Sequence, residues 1–585
     1  MQVAWRTVIG TRQSALATCL IALGSCLLAS CSEEGVAVPE NKNEEPSNHQ
    51  YYITLNVNNN PQSSTRGETN NDGSSTNGTL EGVENENIMT SATIYLCVND
   101  EVKVTLPSDY VGELSSSNNS YQIRVAIDDI NSLAELAGKK VQFLIVGNTD
   151  KFTYTLNKGG KPSETTFSLT SVGTTPIEDF GTDNKGKRLP LVNAKSYTVT
   201  IPQSSGVNAV DAVKAMFDRF TPTIAWWDVN EDWDSDSANK GAIVEMERAV
   251  GRFEFKDAAR PGNDDNPLPT DPYVYKVPTV GVTDKLQIKL YSMQPFNVNS
   301  QSYLFRHTSA GTLEAANTTP ILFNNERDNS DKDNYYNWIA SPDWTTSGTF
   351  GKTATFLNPI TVSSTNYSVT GTNGIIKIED LEKRIKTETD GYYPWCYISE
   401  NTIPSVDLME DYQEVTVSGE KQMQPLVTQY ATGVIFNFIV LGKDGKPLVY
   451  ETPSSTESDI ETASNYPEGV YNSTDHEGWI FIIDNNGKWI ECEPVDISVI
   501  ENGEAKTYKS FILNYIASIV HNNGTKKAEG KNFAPMYYGI VRNNTYQMTV
   551  RGVSGLPLPQ DPRSMYLQLQ VNVLPWNVRK NEFYF

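Results

Sequence analysis

Two segments of the chain have residue spacings that could bind ions or phosphate. Residues 181–188 place two glycines and a lysine as a phosphate-binding loop does, in which backbone amides and the lysine hold the phosphates. Arg188 stands where that loop needs the Ser or Thr hydroxyl that binds magnesium, and no hydrophobic strand precedes the segment. We therefore interpret it as a charged turn.

The acidic segment 228–236 begins like a calcium-binding loop. In such a loop a glycine makes the sharp turn, and a glutamate binds the ion with both carboxylate oxygens. Trp233 and Asn239 occupy those two positions here, so weak calcium binding stays open only as a minor alternative.

Histidines and cysteines form no recognisable catalytic or metal-binding pattern. The four histidines are scattered, and none is accompanied by a nucleophile or a ligand set: His49, His307, His476 and His521. Three of the six cysteines lie near the N-terminus, and the other three are widely spaced: Cys97, Cys396 and Cys492. Such an odd, dispersed set predicts neither a disulfide framework nor a metal site. We predict that the protein is not an enzyme and holds no cofactor or metal.

Cys31 is the residue that the sequence predicts to be chemically modified. Two arginines precede an apolar, small-residue run over residues 14–30, as in a secretory signal. The run ends in Leu28-Ala29-Ser30-Cys31, which resembles the bacterial lipobox, where the cysteine thiol is acylated and becomes the first mature residue. Cys26 is a second candidate, but its use would leave two leucines beyond the cleavage point.

The segment after Cys31 predicts a tether at the cell surface. Ser32-Glu33-Glu34 resembles the surface-export signal of lipoproteins from the Bacteroidia, and the stretch to Gln50 has almost no apolar residue to bury. The formal net charge of -24 argues against nucleic acid and anionic lipid as partners, since both require a basic surface. We expect an outer membrane lipoprotein precursor.

Short runs of alternating polarity predict strands through the rest of the chain. The clearest runs are 93–98, 121–126, 141–146, 197–201, 286–291, 434–441 and 479–483. Asp444-Gly445 and Asn486-Gly487 each lie between two such runs and suit the type I′ turn of a hairpin. We predict antiparallel sheets, with short helices over 132–137 and 207–220.

One strand with an apolar face directly follows the tether. In Tyr51 to Val57 apolar residues occupy every second position, as in a strand with one buried side. Residues 58–78 then contain no aliphatic or aromatic residue, and Arg66 is their only basic residue. A trypsin-like protease could therefore cut between Arg66 and Gly67 and detach the lipid, the tether and the first strand.

A matching strand lies near the C-terminus. Apolar residues again alternate, at Leu567, Leu569, Val571 and Val573, before Pro575 and Trp576 interrupt the pattern. The preceding segment 555–562 is rich in residues that break regular structure and would let the tail swing away from its own domain. An ordinary last strand that pairs within its own domain is an equal alternative on this pattern.

These features together resemble the type V fimbrillins of the Bacteroidia, most closely the major subunit of the short (minor) fimbriae. The residues that carry the resemblance are Tyr538 to Tyr546, with the sequence YGIVRNNTY, and Leu569 to Trp576, with the sequence LQVNVLPW. The lipobox, the first strand before Arg66 and the predicted strand Glu247 to Phe255 also match the family. The resemblance is good at both ends of the chain and vague in the middle.

The resemblance implies a way of polymerising. In that family an arginine-specific protease removes the first strand of a surface lipoprotein, and the C-terminal tail of a neighbouring subunit fills the groove. Here this implies cleavage between Arg66 and Gly67, although the family's site commonly precedes alanine. The implied donor residues are Leu567, Leu569, Val571, Val573 and Trp576. The implied partners are further copies in a head-to-tail polymer, accessory fimbrial subunits, the protease, and receptors on host or bacterial surfaces.

We therefore predict a mainly β protein with two β-sandwich (transthyretin-like) domains, few short helices and a C-terminal donor-strand extension. The predicted segments are a signal peptide (1–30), a propeptide of tether and first strand (31–66), an N-terminal domain (67–240), a C-terminal domain with loop insertions (241–565) and the donor strand (566–585).

Two other functions fit parts of the sequence. A surface glycan-binding lipoprotein would share the lipobox, the acidity and tryptophans such as Trp226, Trp227 and Trp344, which could stack on sugars. The best-known examples are rich in paired helices, whereas this chain is not. A surface glycoside hydrolase would need two closely spaced carboxylates, which the sequence does not identify.

Overall fold

Strands form nearly all of the regular structure in the described part of the chain. The computed structural model describes residues 52–58, 80–81, 89–108, 110–115, 120–126, 133, 135–149, 152–168, 189–194, 196–200, 225–226, 243–257, 272–281, 286–311, 321–323, 336–339, 341–342, 356–362, 366–384, 391–403, 412–417, 420–425, 430–450, 465–501, 504–521, 538–558 and 567–577. Among them, helix is found in α1 (Ile378–Leu381), in the 3-10 turn Pro162–Glu164 and at Leu133, which lies within the helix predicted over 132–137. The helix predicted over 207–220 lies outside the described residues. None of the described helices is long and apolar enough to cross a membrane.

The strands of the first part of the chain are β1 (Tyr52–Asn58), β2 (Leu80–Glu81), β3 (Ala92–Val98), β4 (Glu101–Pro107), β5 (Tyr110–Ser115), β6 (Ser120–Ala126), β7 (Lys140–Gly147), β8 (Thr166–Ser168), β9 (Leu191–Asn193), β10 (Tyr197–Thr200), β11 (Ala225–Trp226), β12 (Ile243–Arg248) and β13 (Gly251–Asp257).

The later strands are β14 (Val274–Val277), β15 (Leu286–Phe296), β16 (Gln301–Tyr303), β17 (His307–Gly311), β18 (Ile321–Leu322), β19 (Tyr336–Ile339), β20 (Ile360–Val362), β21 (Tyr367–Val369), β22 (Ile376–Lys377), β23 (Tyr393–Ile398), β24 (Asn401–Thr402), β25 (Tyr412–Val417), β26 (Glu420–Pro425), β27 (Gly433–Val440), β28 (Val470–Asn472), β29 (Ile480–Ile483), β30 (Trp489–Cys492), β31 (Pro494–Glu501), β32 (Glu504–Ser518), β33 (Gly539–Ile540), β34 (Asn544–Val553) and β35 (Leu567–Asn577). The prediction of a mainly β fold is confirmed.

Most strands before Gly251 belong to one ten-stranded sheet, which we call the first sheet. Its order is β4-β3-β7-β9-β12-β1-β6-β5, with β10 added to β7 and β11 to β1. One face of this sheet carries a core that joins residues from both ends of the order, such as Leu96 of β3 and Val125 of β6. The sheet therefore covers its own apolar face, as the two layers of a sandwich do.

The opposite face of the first sheet is buried as well. Tyr95 and Cys97 of β3 belong to a second core that contains Phe305 and Tyr397 from later in the chain. Alternate residues of β3 thus point into two different cores. The alternation along this strand therefore distinguishes two buried faces rather than a buried face from an exposed one.

Two further sheets pack face to face as a β-sandwich. A five-stranded sheet has the order β2-β35-β34-β13-β23, and a six-stranded sheet has the order β14-β15-β27-β32-β31 with β22 paired to β15. Phe255 of the five-stranded sheet lies against Phe436 of the six-stranded sheet, with ring centroids 6.3 Å apart. The large core between the two sheets includes both rings.

The single strand predicted over Glu247 to Phe255 is two strands in the structure. β12 ends at Arg248 in the first sheet, and β13 begins at Gly251 in the five-stranded sheet. Ala249 and Val250 connect the strands and are fully buried. By its contacts the chain from His49 to Phe585 forms one compact unit, and the domain limits 67–240 and 241–565 stay a prediction.

The type I′ turns predicted at the two Asp/Asn-Gly dipeptides are wrong. A type I′ turn needs positive φ at both central residues, but only Gly445 (75°) and Gly487 (77°) of these dipeptides have it. In each dipeptide the first residue keeps the ordinary negative φ. Asn99 and Asp100, between β3 and β4, instead have φ of 51° and 59° and form the turn that has this geometry.

Candidate assembly site

The first strand lies in the interior of the first sheet. All seven residues of β1 pair antiparallel with β6, from Tyr52 opposite Ala126 to Asn58 opposite Ser120. Along its other edge β1 runs parallel to β11 and β12, with Asn56 opposite Ile243. β1 therefore has hydrogen-bonded neighbours on both edges.

The neighbours of β1 contribute apolar side chains to the core of the first sheet. Ile123 and Val125 of β6 and Met246 of β12 are fully buried in it. Leu55 is the register partner of Ile123, and Ile53 is the register partner of Val125. Loss of β1 would leave two unpaired strand edges on either side of a gap beside these apolar residues.

The predicted cleavage and lipidation positions lie outside the described residues. Arg66 and Gly67 fall between the end of β1 at Asn58 and the start of β2 at Leu80. Cys31 precedes β1. A cut at residue 66 would divide a connection that runs from the first sheet to the five-stranded sheet.

The C-terminal strand pairs within its own chain. β35 is antiparallel to β34, and at its far end Trp576 and Asn577 run parallel to β2. The predicted donor positions lie opposite residues that are buried in the sandwich core: Leu567 opposite Val553, Leu569 opposite Val550, Val571 opposite Met548, and Val573 opposite Tyr546. Trp576 is the register partner of Leu80. In the single chain β35 is therefore paired with strands of its own subunit, an arrangement that we call its home position.

The signature segment Tyr538 to Tyr546 forms a buried polar junction rather than an exposed site. The Arg542 guanidinium donates to Glu400 through Nε (3.1 Å) and Nη2 (2.9 Å). It also donates to the carbonyl oxygens of Leu304 (3.0 Å) and Tyr303 (2.6 Å). All of these donors are shielded from solvent, so Arg542 ties three distant segments together.

Further ion pairs surround Arg542. Arg306 donates to both carboxylate oxygens of Glu247, and Nη1 of Arg542 lies 3.9 Å from the same carboxylate. Burial raises the pKa of Glu247, and the two guanidinium groups oppose that effect. Arg248 donates to Oδ1 of Asn543 at 3.0 Å. We call Glu247, Arg248, Arg306, Glu400 and Arg542 the buried ionic junction.

Sequence reasoning used the signature segment as a mark of the family but did not find the partners of Arg542. Glu400 and Leu304 are separated from it by 142 and 238 positions. The sequence offered one weaker signal: Glu247 and Arg248 are adjacent charges within a predicted strand, and charged residues are paired when they are buried.

The described residues contain no group of three side chains that could hold a metal ion. Cys97, Cys396 and Cys492 are free, and burial raises the pKa of each thiol to about 12. These thiols are protonated at neutral pH and are poor nucleophiles. The segments 181–188 and 228–236 and residue Trp344 lie outside the described residues.

The C-terminal region matches one protein family. Residues 506–582 match the family model described as major fimbrial subunit protein type IV, fimbrillin, C-terminal. The match spans β32, β34 and β35 and contains the signature segment. No curated protein sequence matches the chain significantly.

Several solved structures are similar to the chain. A candidate cell adhesion protein from Parabacteroides distasonis is 13% identical, with a TM-score of 0.38, and the alignment covers 90% of this chain and 100% of that one. A fimbrilin (fimA) from Porphyromonas gingivalis is 12% identical, with a TM-score of 0.29 and coverage of 91% and 98%. The tip fimbrial protein Mfa3 from the same species is 8% identical, with a TM-score of 0.28 and coverage of 90% and 99%. These TM-scores are too low to support a functional comparison. The similarity to the fimbrillins therefore rests on the family match over residues 506–582.

The family match places a fimbrillin-like region at the C-terminal end of a mainly β chain. The chain carries a fimbrillin C-terminal region, which confirms the resemblance of its sequence to the fimbrillins.

Proposed function

We propose that the protein is a fimbrial subunit that polymerises by protease-triggered donor-strand exchange and so supports adhesion. The observation that carries the proposal is the position of β1, a removable N-terminal strand with neighbours on both edges. Cleavage after Arg66 would release β1 from the chain and open a groove between β6 and β12. The tail of a second subunit would then fill this groove.

The groove sets requirements that the tail meets. An incoming strand must run antiparallel to β6 and parallel to β12, and it needs apolar residues opposite Ile123 and Val125. The tail offers four apolar residues at alternate positions from Leu567 to Val573. Burial of each such side chain contributes about 1.5–3 kcal/mol before ordering costs.

The groove offers the tail more strand pairing than its own sheet does. Among the residues that the structure describes, β35 at home pairs along its length with β34, and β2 covers two residues of its other edge. In the groove the same strand would have a neighbour along both edges, as β1 has now. Exchange therefore increases the number of backbone hydrogen bonds that the tail makes.

Donation of this kind is head-to-tail and does not close on itself, so it yields a filament. Acylation at Cys31 would hold the precursor in the outer membrane until an arginine-specific protease cuts the chain. The partners of the mature subunit would be further copies, accessory fimbrial subunits and surface receptors. None of these steps requires a cofactor.

A disulfide that locks β1 to β6 tests the proposal. Opposed residues of an antiparallel pair have Cα atoms about 4.5–5.5 Å apart, which suits a disulfide. We expect Leu55→Cys/Ile123→Cys to form no detergent-resistant ladder after limited trypsin treatment when oxidised, and to form it once a reductant is added. The single variant Leu55→Cys should form the ladder in both conditions. A ladder from the oxidised, fully cut double variant would contradict the proposal.

A further inference from the structure

The three-stranded sheet of β28, β29 and β30 has two faces of different character. One face packs into the large sandwich core through Val470, Ile480, Ile482, Ile490 and Cys492. The alternate positions on these strands form the opposite face, which we call the outer face: Tyr471, Phe481, Ile483, Trp489 and Glu491. The outer face is thus mainly aromatic and apolar, although it points away from the core.

The outer face holds a large share of the exposed apolar surface. Four large apolar side chains of the described residues are 36% to 50% exposed: Ile375, Tyr471, Trp489 and Val495. Two of them, Tyr471 and Trp489, lie on this one face. The Tyr471 ring is stacked on Phe481, with centroids 5.3 Å apart and planes 27° apart, so its position is fixed.

A polar rim of fixed geometry borders the aromatic surface. Glu491 accepts hydrogen bonds from the Ser473 hydroxyl and from Nδ1 of His476 (2.9 Å). His476 in turn stacks on Trp479, with ring centroids 4.6 Å apart.

The outer face is too small for a stable protein interface. Three strands of at most four residues cover about 200 Å², given a strand spacing of about 4.8 Å and a rise of about 3.3 Å per residue. A stable interface between proteins buries about 800 Å² on each partner. An area of this size suits a small ligand.

The charges on the outer face favour an uncharged ligand. Burial would raise the pKa of Glu491, but hydrogen bonds from Ser473 and His476 outweigh it and lower the pKa. The hydrogen bond to Glu491 raises the pKa of His476. The Glu491 carboxylate is therefore already hydrogen-bonded to groups of the protein itself. Exposed Asp475 and Glu477 nearby would repel an anionic sugar.

We propose that the outer face is a binding site for neutral carbohydrate, which gives this fimbrial subunit a glycan ligand of its own. The weakly positive C–H groups on one side of a sugar ring lie against the negative faces of Tyr471 and Trp489. The sugar hydroxyls bind the polar rim at Glu491. The site rests on the proposed function only for its presence at the cell surface.

A glycan array probed with the soluble, uncleaved chain tests the site. We expect binding to at least one class of neutral oligosaccharide on an array that includes α- and β-glucans, mannans and galactans. Replacement of an exposed stacking ring should weaken that binding about tenfold, as expected for loss of one aromatic contact. The variants are Tyr471→Ala and Trp489→Ala. Ile375→Ala removes a similarly exposed apolar side chain elsewhere and should change nothing.

Three results would overturn the site. The first is the absence of binding to any neutral glycan at millimolar concentration. The second is binding that both ring variants retain in full. The third is binding of a lysine-rich peptide in place of glycan, which would identify the outer face as a site for cations. Because the assay uses the uncleaved chain, failure here leaves the polymerisation proposal untouched, and failure to polymerise leaves the glycan result untouched.

Discussion

At the scale of single residues, Arg542 was recognised from the sequence as part of a family signature, but its structural role was not predicted. The segment around it was sufficient for the resemblance to the fimbrillins. Its contacts with Glu400, Tyr303 and Leu304 join segments that are far apart in the chain. Because no local pattern encodes such pairings, only the folded chain reveals the buried ionic junction.

Removal of the Arg542 charge should destabilise the protein strongly. Arg542→Met leaves Glu400 buried without its partner, and loss of one member of a buried ion pair costs about 3–5 kcal/mol. Equilibrium unfolding in denaturant measures the change. Lys161→Met is the control, since the Lys161–Glu164 pair is exposed and should contribute little. Equal unfolding midpoints for the two variants would show that the junction adds no stability.

His307 should make stability depend on pH. Its ring nitrogens lie 2.9 Å from the carbonyl oxygens of Phe305 and Ser163, and burial lowers its pKa from 6.5 to about 4. Between those values the unfolded chain binds the proton that the folded chain excludes. Stability contributed by neutral His307 is therefore complete above pH 6.5 and is lost as the pH falls toward 4.

The difference between the two pKa values corresponds to about 3 kcal/mol. We expect the unfolding free energy of His307→Gln to fall less between pH 7 and pH 4 than that of the parent chain. Denaturant titrations at a series of pH values provide the comparison. If the plots of unfolding free energy against pH are parallel for the two chains, His307 has the same pKa in the folded and unfolded states, and the prediction is wrong.

At the scale of elements, alternating polarity predicted the strands well and their environment less well. The run at Thr93 to Val98 corresponds to β3, but both of its faces are buried. The two Asp/Asn-Gly dipeptides predicted the wrong turn type because a glycine that follows a type I turn has the same sequence pattern as a type I′ turn. Strand order was not predictable either, because β1 pairs with β12, which lies almost 190 residues later in the chain: Asn56 is opposite Ile243.

The home position of β35 affects how its donor role can be tested. Val571→Asp would place a charge opposite buried Met548 in the home sheet as well as in a neighbour's groove. Loss of filaments in that variant would therefore not separate misfolding from failed donation. A covalent lock on the tail avoids this ambiguity because it keeps the folded chain intact.

We expect Met548→Cys/Val571→Cys to fold and, when oxidised, to form no filaments after cleavage. The disulfide would hold β35 on β34, so the tail could not enter a neighbour's groove. Reduction should restore filaments, as observed by electron microscopy, and Val571→Cys alone should polymerise in both conditions. Normal filaments from the oxidised double variant would show that β35 remains a home strand in the polymer.

At the scale of the whole molecule, the sequence was sufficient for the mainly β fold class, and it predicted strands at both ends that the structure contains. It did not reveal that the first strand lies inside one sheet, or that the last strand lies in another sheet between β34 and the two-residue strand β2. The difference matters for the proposed exchange: a tail whose second edge is covered over only two described residues at home would have a neighbour along both edges in the groove of another subunit.

The most direct test of this account is a cryo-electron microscopy map of filaments assembled from the cleaved chain. We predict continuous density between β6 and β12 that belongs to residues 567–577 of the adjacent subunit, antiparallel to β6, with residues 52–58 absent. A map in which residues 52–58 still occupy that position, and β35 still lies on β34 of its own chain, would contradict the account.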